Sequence, residues 1–299
     1  MAQPVIGMIG LGIMGGIMAQ TLLESGYSVC GYDVSPNARK RHKAAGGRVL
    51  KTATDVADEA DIVIISLATS AALRETVNSL ELVKPRDKRC RLVVVETSTL
   101  PLADKSYIHE RLAAINIEVM DCPISGTAVR MQDRAWTVFA SGSKKAFKSV
   151  EPILKVFTDN VPYVGAYGNG TKIKFSANHL VAIYNVAYAE SVALARKMGL
   201  DPQQVLELFG PSPVLGTGVM RIRMPFMIRR KYSPPTMKVE VWQKDMQVIG
   251  DMAKSVDCPL PLFSACGPIY GAAMAQGLSQ QDSASVSEVL ASLAGIAAK

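Results

Sequence analysis

Val5-Ile6-Gly7-Met8-Ile9 runs straight into Gly10-Leu11-Gly12-Ile13-Met14-Gly15, and the following Gly16–Ser25 carries apolar side chains three or four apart. The order is strand, glycine-rich turn, helix. Each glycine has a task in it. Gly10 permits the tight turn out of the strand, Gly12 lets the backbone come close to a pyrophosphate, and Gly15 lets helix and strand pack together. The helix start presents unpaired N–H groups and the positive end of its dipole to phosphates. Gly10, Leu11, Gly12, Ile13, Met14 and Gly15 are therefore candidate cofactor contacts. A glycine pattern alone is weak, but a second short strand, Ser28–Tyr32, ends at Asp33, about the 20-residue distance expected of a ribose-binding acid. A carboxylate there accepts from both ribose hydroxyls and repels a 2′-phosphate, so the expected cofactor is NAD rather than NADP. Arg39, Lys40 and Arg41 close behind could accommodate a phosphate, and they read equally well as a solvated helix face.

Outward from this unit, short β-branched or apolar runs recur at Ile62–Leu67, Leu92–Glu96, Ile117–Asp121, Trp136–Ser141 and Pro162–Val164. Helical segments such as Ala72–Leu80 lie between the early ones, which predicts βαβ units and a mainly parallel sheet covered on both faces. After Val164 the pattern changes. Residues 165–170 read as a loop, and one long helical pattern without proline runs from Thr171 to about Met198. Gly199 is a suitable stop for it, and Asp201-Pro202 a start signal for another helix. Further helices are expected at 202–209, 236–256, 262–277 and 282–296. The predicted architecture is α/β: a Rossmann-type doubly wound domain (1–164), a long interdomain helix, and an all-α C-terminal domain (165–299).

Composition narrows the function. The 299 residues are 48% hydrophobic and 20% charged, with a basic excess of 33 − 26 = 7. No basic run interleaved with aromatics accompanies that excess, so nucleic acid is not the expected partner; a field drawing in an anionic cofactor and substrate is. Five scattered cysteines and three histidines lack ligand spacing, so neither a disulfide framework nor a metal site is expected. No signal-peptide layout opens the chain and no apolar stretch suits a membrane, so a soluble cytoplasmic protein is expected.

Lys174 and Asn178 stand four apart in the long helix and share a face. A lysine in a partly desolvated pocket has a lowered pKa and exchanges protons near neutrality. On spacing alone, however, an ordinary surface lysine is the better reading, with Lys172 a neighbour on a different face. Asp121-Cys-Pro-Ile-Ser125-Gly126-Thr127-Ala128 follows a strand. Its Ser-Gly turn offers a hydroxyl and free N–H groups to a carboxylate, or is simply a loop at a strand end. Thr97-Ser98-Thr99 sits where open α/β sheets place ligands.

Taken together, several segments resemble the β-hydroxyacid dehydrogenase family, which includes 3-hydroxyisobutyrate dehydrogenase, tartronate semialdehyde reductase and 6-phosphogluconate dehydrogenase. They are Ile9-Gly-Leu-Gly-Ile-Met-Gly15, Glu96-Thr-Ser-Thr-Leu-Pro101, Asp121-Cys-Pro-Ile-Ser-Gly126, Gly165-Ala-Tyr-Gly-Asn-Gly-Thr-Lys-Ile-Lys-Phe-Ser-Ala-Asn178, and Lys244-Asp245. The resemblance spans nearly the whole chain and implies hydride exchange between a nicotinamide and a small β-hydroxy acid. It implies Lys174 as general acid/base, Asn178 as orienting group, and Ser125, Gly126 and Thr127 at the substrate carboxylate and hydroxyl. It also implies Leu67, Thr99 and Lys244 along the cofactor, and a homodimer or homotetramer. Two departures stand out: Thr127 replaces a common glycine, and Ala68 a common proline. Arg221 and Arg223 fall in the region that shapes specificity, as a second anion contact or as structural arginines. The alternatives are an imine reductase-like enzyme or a non-catalytic nucleotide-binding module of the same fold, both of which tend to lack the lysine. A Rossmann methyltransferase would explain only the glycine turn.

Overall fold

The computed structural model describes residues 3–84, 91–126, 131 and 133–297. The chain forms two compact units, residues 1–174 and 175–299.

The first unit is built on six parallel strands: β1 (Ile6–Ile9), β2 (Val29–Tyr32), β3 (Arg48–Val49), β4 (Ile62–Ile65), β5 (Val93–Glu96) and β6 (Glu118–Asp121). Their spatial order is β3-β2-β1-β4-β5-β6. Ile6 pairs with Val29 on one side and Ile62 on the other, and Ile62 pairs in turn with Val93. Strands buried on both faces need apolar residues at every position, and β4 (Ile-Val-Ile-Ile) supplies them. Alternate side chains then serve two cores. Ile62, Ile64, Val93 and Val95 pack with α1 (Ile13–Glu24) and α6 (Lys144–Phe157). Val63, Ile65, Val94 and Ile9 pack with α3 (Ala53–Glu59), α4 (Ser70–Leu80) and α5 (Leu102–Ala114). Helix α2 (Pro36–Ala44) follows β2.

Several helix starts have side-chain caps that the chain supplies locally. Thr52 and Asp55 form a reciprocal capping box on α3, and Thr69 and Ser143 accept from the third residues of α4 and α6. The expected single run Trp136–Ser141 is shorter. Thr137–Val138 (β8) pairs antiparallel with Ile124–Ser125 (β7), and Ala140 and Ser141 make only isolated bridges. The expected strand Pro162–Val164 reduces to one bridge, Tyr163 to Ala140.

Helix α7 (Asn169–Lys197) starts in the first unit and runs on into the second, ending before Gly199 at φ +77°. The second unit continues with α8 (Pro202–Phe209), α9 (Gly218–Arg229), α10 (Val239–Ser255), α11 (Pro261–Ala275), a 3₁₀ turn (Ser283–Ser285) and α12 (Val286–Leu293). Asp201 caps α8 by accepting from Gln203 N at 2.9 Å. Buried polar groups hold these helices in register. Asn185 donates to Tyr270 Oη at 3.0 Å and to the Ser283 carbonyl at 2.8 Å. Among the described residues no helix is long and apolar enough to cross a membrane.

Candidate active site

The strand order reverses between β1 and β4, and ligands of open α/β sheets bind outside the carboxyl ends at such a switch point. The glycine turn leaves β1 there. Gly10 takes φ +90°, and a Cβ on it would lie 2.2 Å from the Ser66 carbonyl oxygen. A Cβ on Gly15 would lie 2.0 Å from the Gly10 carbonyl oxygen. These two contacts bring the turn close to the end of β4 and to the start of α1. Gly12 differs: it is exposed, and a Cβ there would meet nothing within 4 Å. It stands at the N-cap of α1 with no side-chain cap and no acid in the first turn. An uncapped helix start under an open backbone surface fits a phosphate. Leu11 is buried, Met14 is half-buried against the core, and Ile13 is 75% exposed.

Asp33 follows β2 and closes the turn from the side. Its Oδ2 accepts from Leu11 N at 2.6 Å and its Oδ1 from Ser35 N at 2.7 Å. Arg39 folds back, donating to the carbonyl oxygens of Asp33 and Val34. These residues fit a dinucleotide: an open helix start for its phosphates, and beside it a carboxylate with lone pairs left for a ribose. Next along the sheet edge, Leu67 N donates to Ser98 Oγ at 2.9 Å, joining the turns after β4 and β5, while Thr97 Oγ1 donates to the Ile65 carbonyl at 2.8 Å. Thr99 is half-buried at the same edge.

Ser125 lies in β7 opposite Thr137, and Gly126 follows at φ +154°. A Cβ on Gly126 would stand 2.3 Å from Trp136 Cδ1. The indole, itself fully buried, thus walls the Ser-Gly turn, a contact that sequence reading missed. Thr127, like Cys90, lies outside the described residues.

In α7, Lys172 is exposed, whereas Lys174 is buried at 8% exposure and Asn178 at 4%. In the second unit, Asn178 Nδ2 donates to Asp245 Oδ2 at 2.8 Å, and Lys244 Nζ lies 3.1 Å from Asp245 Oδ1. Asp245 therefore links two expected site residues, although the sequence showed it only as the neighbour of Lys244. Arg221 and Arg223 both make ties within the second unit. Arg221 donates to the Gly210 carbonyl at 2.9 Å, and buried Arg223 to Thr236 Oγ1 at 2.7 Å and to Asp282.

Two thiols of the first unit, Cys30 and Cys122, are poor nucleophiles. Burial pushes Cys122 up, with the nearby Asp121 charge adding to it, and burial likewise raises Cys30. Burial also carries the Tyr167 hydroxyl well above its ordinary value. Among the described residues no group of His, Cys, Asp and Glu is arranged to hold a metal.

Residues 5–165 match the family described as the NAD binding domain of 6-phosphogluconate dehydrogenase. Residues 168–290 match the family described as NAD-binding of NADP-dependent 3-hydroxyisobutyrate dehydrogenase. L-threonate dehydrogenase of Haemophilus influenzae is 30% identical over 95% of this chain and 94% of its own length. The human mitochondrial 3-hydroxyisobutyrate dehydrogenase is 29% identical over 95% of this chain and 86% of its own. A solved structure of 3-hydroxyisobutyrate dehydrogenase from Salmonella typhimurium superposes with a TM-score of 0.84, at 28% identity, covering 96% of this chain and 100% of that one. With both family matches in chain order, the chain belongs to the β-hydroxyacid dehydrogenase family, as an NAD(P)-dependent oxidoreductase of the 3-hydroxyisobutyrate dehydrogenase type.

Proposed function

We propose that this enzyme oxidises a small β-hydroxy acid to its semialdehyde or keto form, or runs the reverse reaction, with Lys174 as general acid/base. The observation that carries this reading is the burial of Lys174 beside an exposed Lys172, because an ammonium is rarely taken out of water without a task or a partner. The nicotinamide, when bound, supplies the hydride acceptor or donor. Everything else falls to the chain. Lys174 Nζ takes the hydroxyl proton during oxidation and returns it to the nascent alkoxide during reduction. Asn178 orients the hydroxyl or carbonyl; Asp245 uses one of its N–H donors and so fixes the amide plane. Ser125, Gly126 and Thr127 bind the substrate carboxylate, on a turn whose shape the Trp136 wall restricts.

Gly10, Leu11, Gly12, Ile13, Met14 and Gly15 hold the pyrophosphate, Leu67 and Thr99 line the way to the nicotinamide, and Lys244 is a further cofactor contact implied by the family resemblance. Asp33 gives NAD the preference over NADP by repelling a 2′-phosphate. Residues 1–164 thus act as the dinucleotide-binding domain and 165–299 as the substrate and oligomerisation domain of a homodimer or homotetramer. L-threonate and 3-hydroxyisobutyrate, named for the relatives, are the first substrates to assay.

The test is a spectrophotometric screen of these and of glycerate, tartronate semialdehyde and 4-hydroxybutyrate with each cofactor, on the parent and on Lys174→Ala. The variant is expected to lose at least about a hundredfold in kcat, the low end for general acid–base catalysis, with NAD affinity near normal. Turnover close to the parent's would remove Lys174 from its role.

A further inference from the structure

One cluster of buried charge in the first unit is not used by this chemistry. Glu96 ends β5, Asp121 ends β6 and Lys105 lies near the start of α5; all three are 0% exposed. Lys105 Nζ bridges the two carboxylates, pairing directly with Glu96 and lying 3.2 Å from Asp121 Oδ1. It also donates to the Ser98 carbonyl at 2.6 Å.

From this bridge, hydrogen bonds run two ways. On the cofactor side, Glu96 Oε1 accepts from Ser98 N at 2.8 Å, and Ser98 Oγ accepts from Leu67 N at 2.9 Å. Both turns at the sheet edge are thereby tied down. On the other side, Asp121 receives the first turn of α7: Thr171 N donates to Oδ2 at 2.8 Å and Thr171 Oγ1 to Oδ1 at 2.7 Å. Ser141 Oγ donates to the same carboxylate at 3.2 Å and accepts from Gly170 N at 3.0 Å. Thr171 precedes Lys174 by three residues, about one turn of helix.

Two carboxylates and one ammonium removed from water are a poor route to stability, since an apolar cluster of the same volume often does as well or better. Such a cluster does impose direction: each hydrogen bond is met at one geometry, and an unmet one is penalised in a dry interior. Hydride transfer needs that kind of control, because a displacement of about 1 Å can lower turnover by about a hundredfold. We propose that Lys105, together with Glu96 and Asp121, is a positioning group that holds the Leu67 and Ser98 turns and the Thr171 helix start in one register, and so places Lys174. This inference rests on the reading of Lys174 as the general acid/base.

Thr171→Val tests it with little disturbance, because the Thr171 N bond to Asp121 and the Lys105 bridge both survive. The assay uses L-threonate and 3-hydroxyisobutyrate as substrates, with cofactor affinity and Tm measured in parallel. Expected in Thr171→Val are a kcat at least about tenfold lower, a displaced limb of the pH profile of kcat, and NADH affinity within about twofold of the parent. Tm should hardly move, and Thr171→Ser, which restores the hydroxyl, should recover most of the turnover. A second variant, Glu96→Gln/Lys105→Met, removes the bridge while leaving the buried net charge unchanged; it is expected to lower Tm, because Asp121 loses its cation, and to show the same fall in kcat with NADH affinity near the parent's. Parental kcat in Thr171→Val at every pH would overturn the inference, as would a loss in that variant that follows Tm and is not regained by serine. Lys174→Ala is the control. If it keeps parental turnover, the reading of Lys174 fails; if it is inactive while Thr171→Val is normal, only the positioning role fails.

Discussion

Asp33 spends both carboxylate oxygens on backbone N–H groups, those of Leu11 and Ser35, before any ligand is considered. A carboxylate has about four acceptor sites, so ribose hydroxyls still find lone pairs. The same side chain thus shapes the glycine turn and, in the role proposed for it, binds the nucleotide. Asp33→Ala is therefore expected to do two things at once. It should raise the KM for NAD by about ten- to a hundredfold, the range for a hydrogen bond to a charged group, and leave NADP use nearly as it was. The measured quantity is the ratio of kcat/KM values for the two cofactors, which should move towards NADP. A parent enzyme that already prefers NADP would refute the role given to this carboxylate.

Among the elements, α9 shows how far a local pattern reaches. Its Pro225 and its mixture of arginines and methionines hid the helix, and the same stretch left Arg221 and Arg223 open between anion contacts and structural ties. The structure places Arg223 against Asp282, which also accepts from Thr236 N at 2.7 Å and Ala284 N at 3.0 Å. This one carboxylate joins α9, the approach to α10 and the 3₁₀ turn. Arg223→Met should leave it buried without its cation and destabilise the fold by about 3–5 kcal/mol. The KM for the hydroxy acid should stay at the parent's value; a raised KM at unchanged stability would make Arg223 a substrate contact instead. Other elements were legible because their signals are local. Asp201-Pro202 predicted a helix at 202–209, and α8 occupies Pro202–Phe209. The apolar runs gave β1, β2, β4, β5 and β6 to within a residue or two. The two-residue strands β3 and β7 are too short for periodicity to register, and only their partners define them, whereas β8 is the part of the expected run Trp136–Ser141 that finds a partner.

For the molecule as a whole, acid should be the weak side of stability. His42 is buried beneath β2, and burial lowers its pKa from the ordinary 6.5. Below that value the unfolded chain takes up a proton that the folded chain refuses, so stability falls as the pH drops from 6.5 towards the folded-state pKa. The slope is at most about 1.4 kcal/mol per pH unit, and above 6.5 the effect vanishes. Glu288 adds a later step. Burial pushes its carboxyl up, but hydrogen bonds from Arg230 and Tyr232 outweigh this and hold it below 4.5, so its stabilisation is lost as the pH falls beneath that. Urea midpoints at pH 8.0, 6.5 and 5.5 should decline for the parent and decline less for His42→Gln; parallel curves would show that His42 takes no part.

The residues alone determined the strand–turn–helix opening, the alternation that makes the first half α/β, the helical second half, and the glycines and Asp33 of the cofactor turn. Those features are written in spacings of two, three or four residues, in caps, and in glycines at tight turns, all short-range physics. Lys174 is different. Its spacing from Asn178 fitted a surface lysine better, and only the order of motifs along the chain lent it a role. Tertiary structure decided that Lys174 is buried and Lys172 is not, that Trp136 walls Gly126, and that Arg223 answers Asp282. It also decided that Lys105 couples Glu96 to Asp121 and, through a bond spanning 50 residues, to Thr171. A buried charge finds its partner through the order in which strands lie side by side. The first strand–turn–helix unit is therefore readable from its own residues, whereas the network beneath the start of α7 exists only once β5 and β6 have paired.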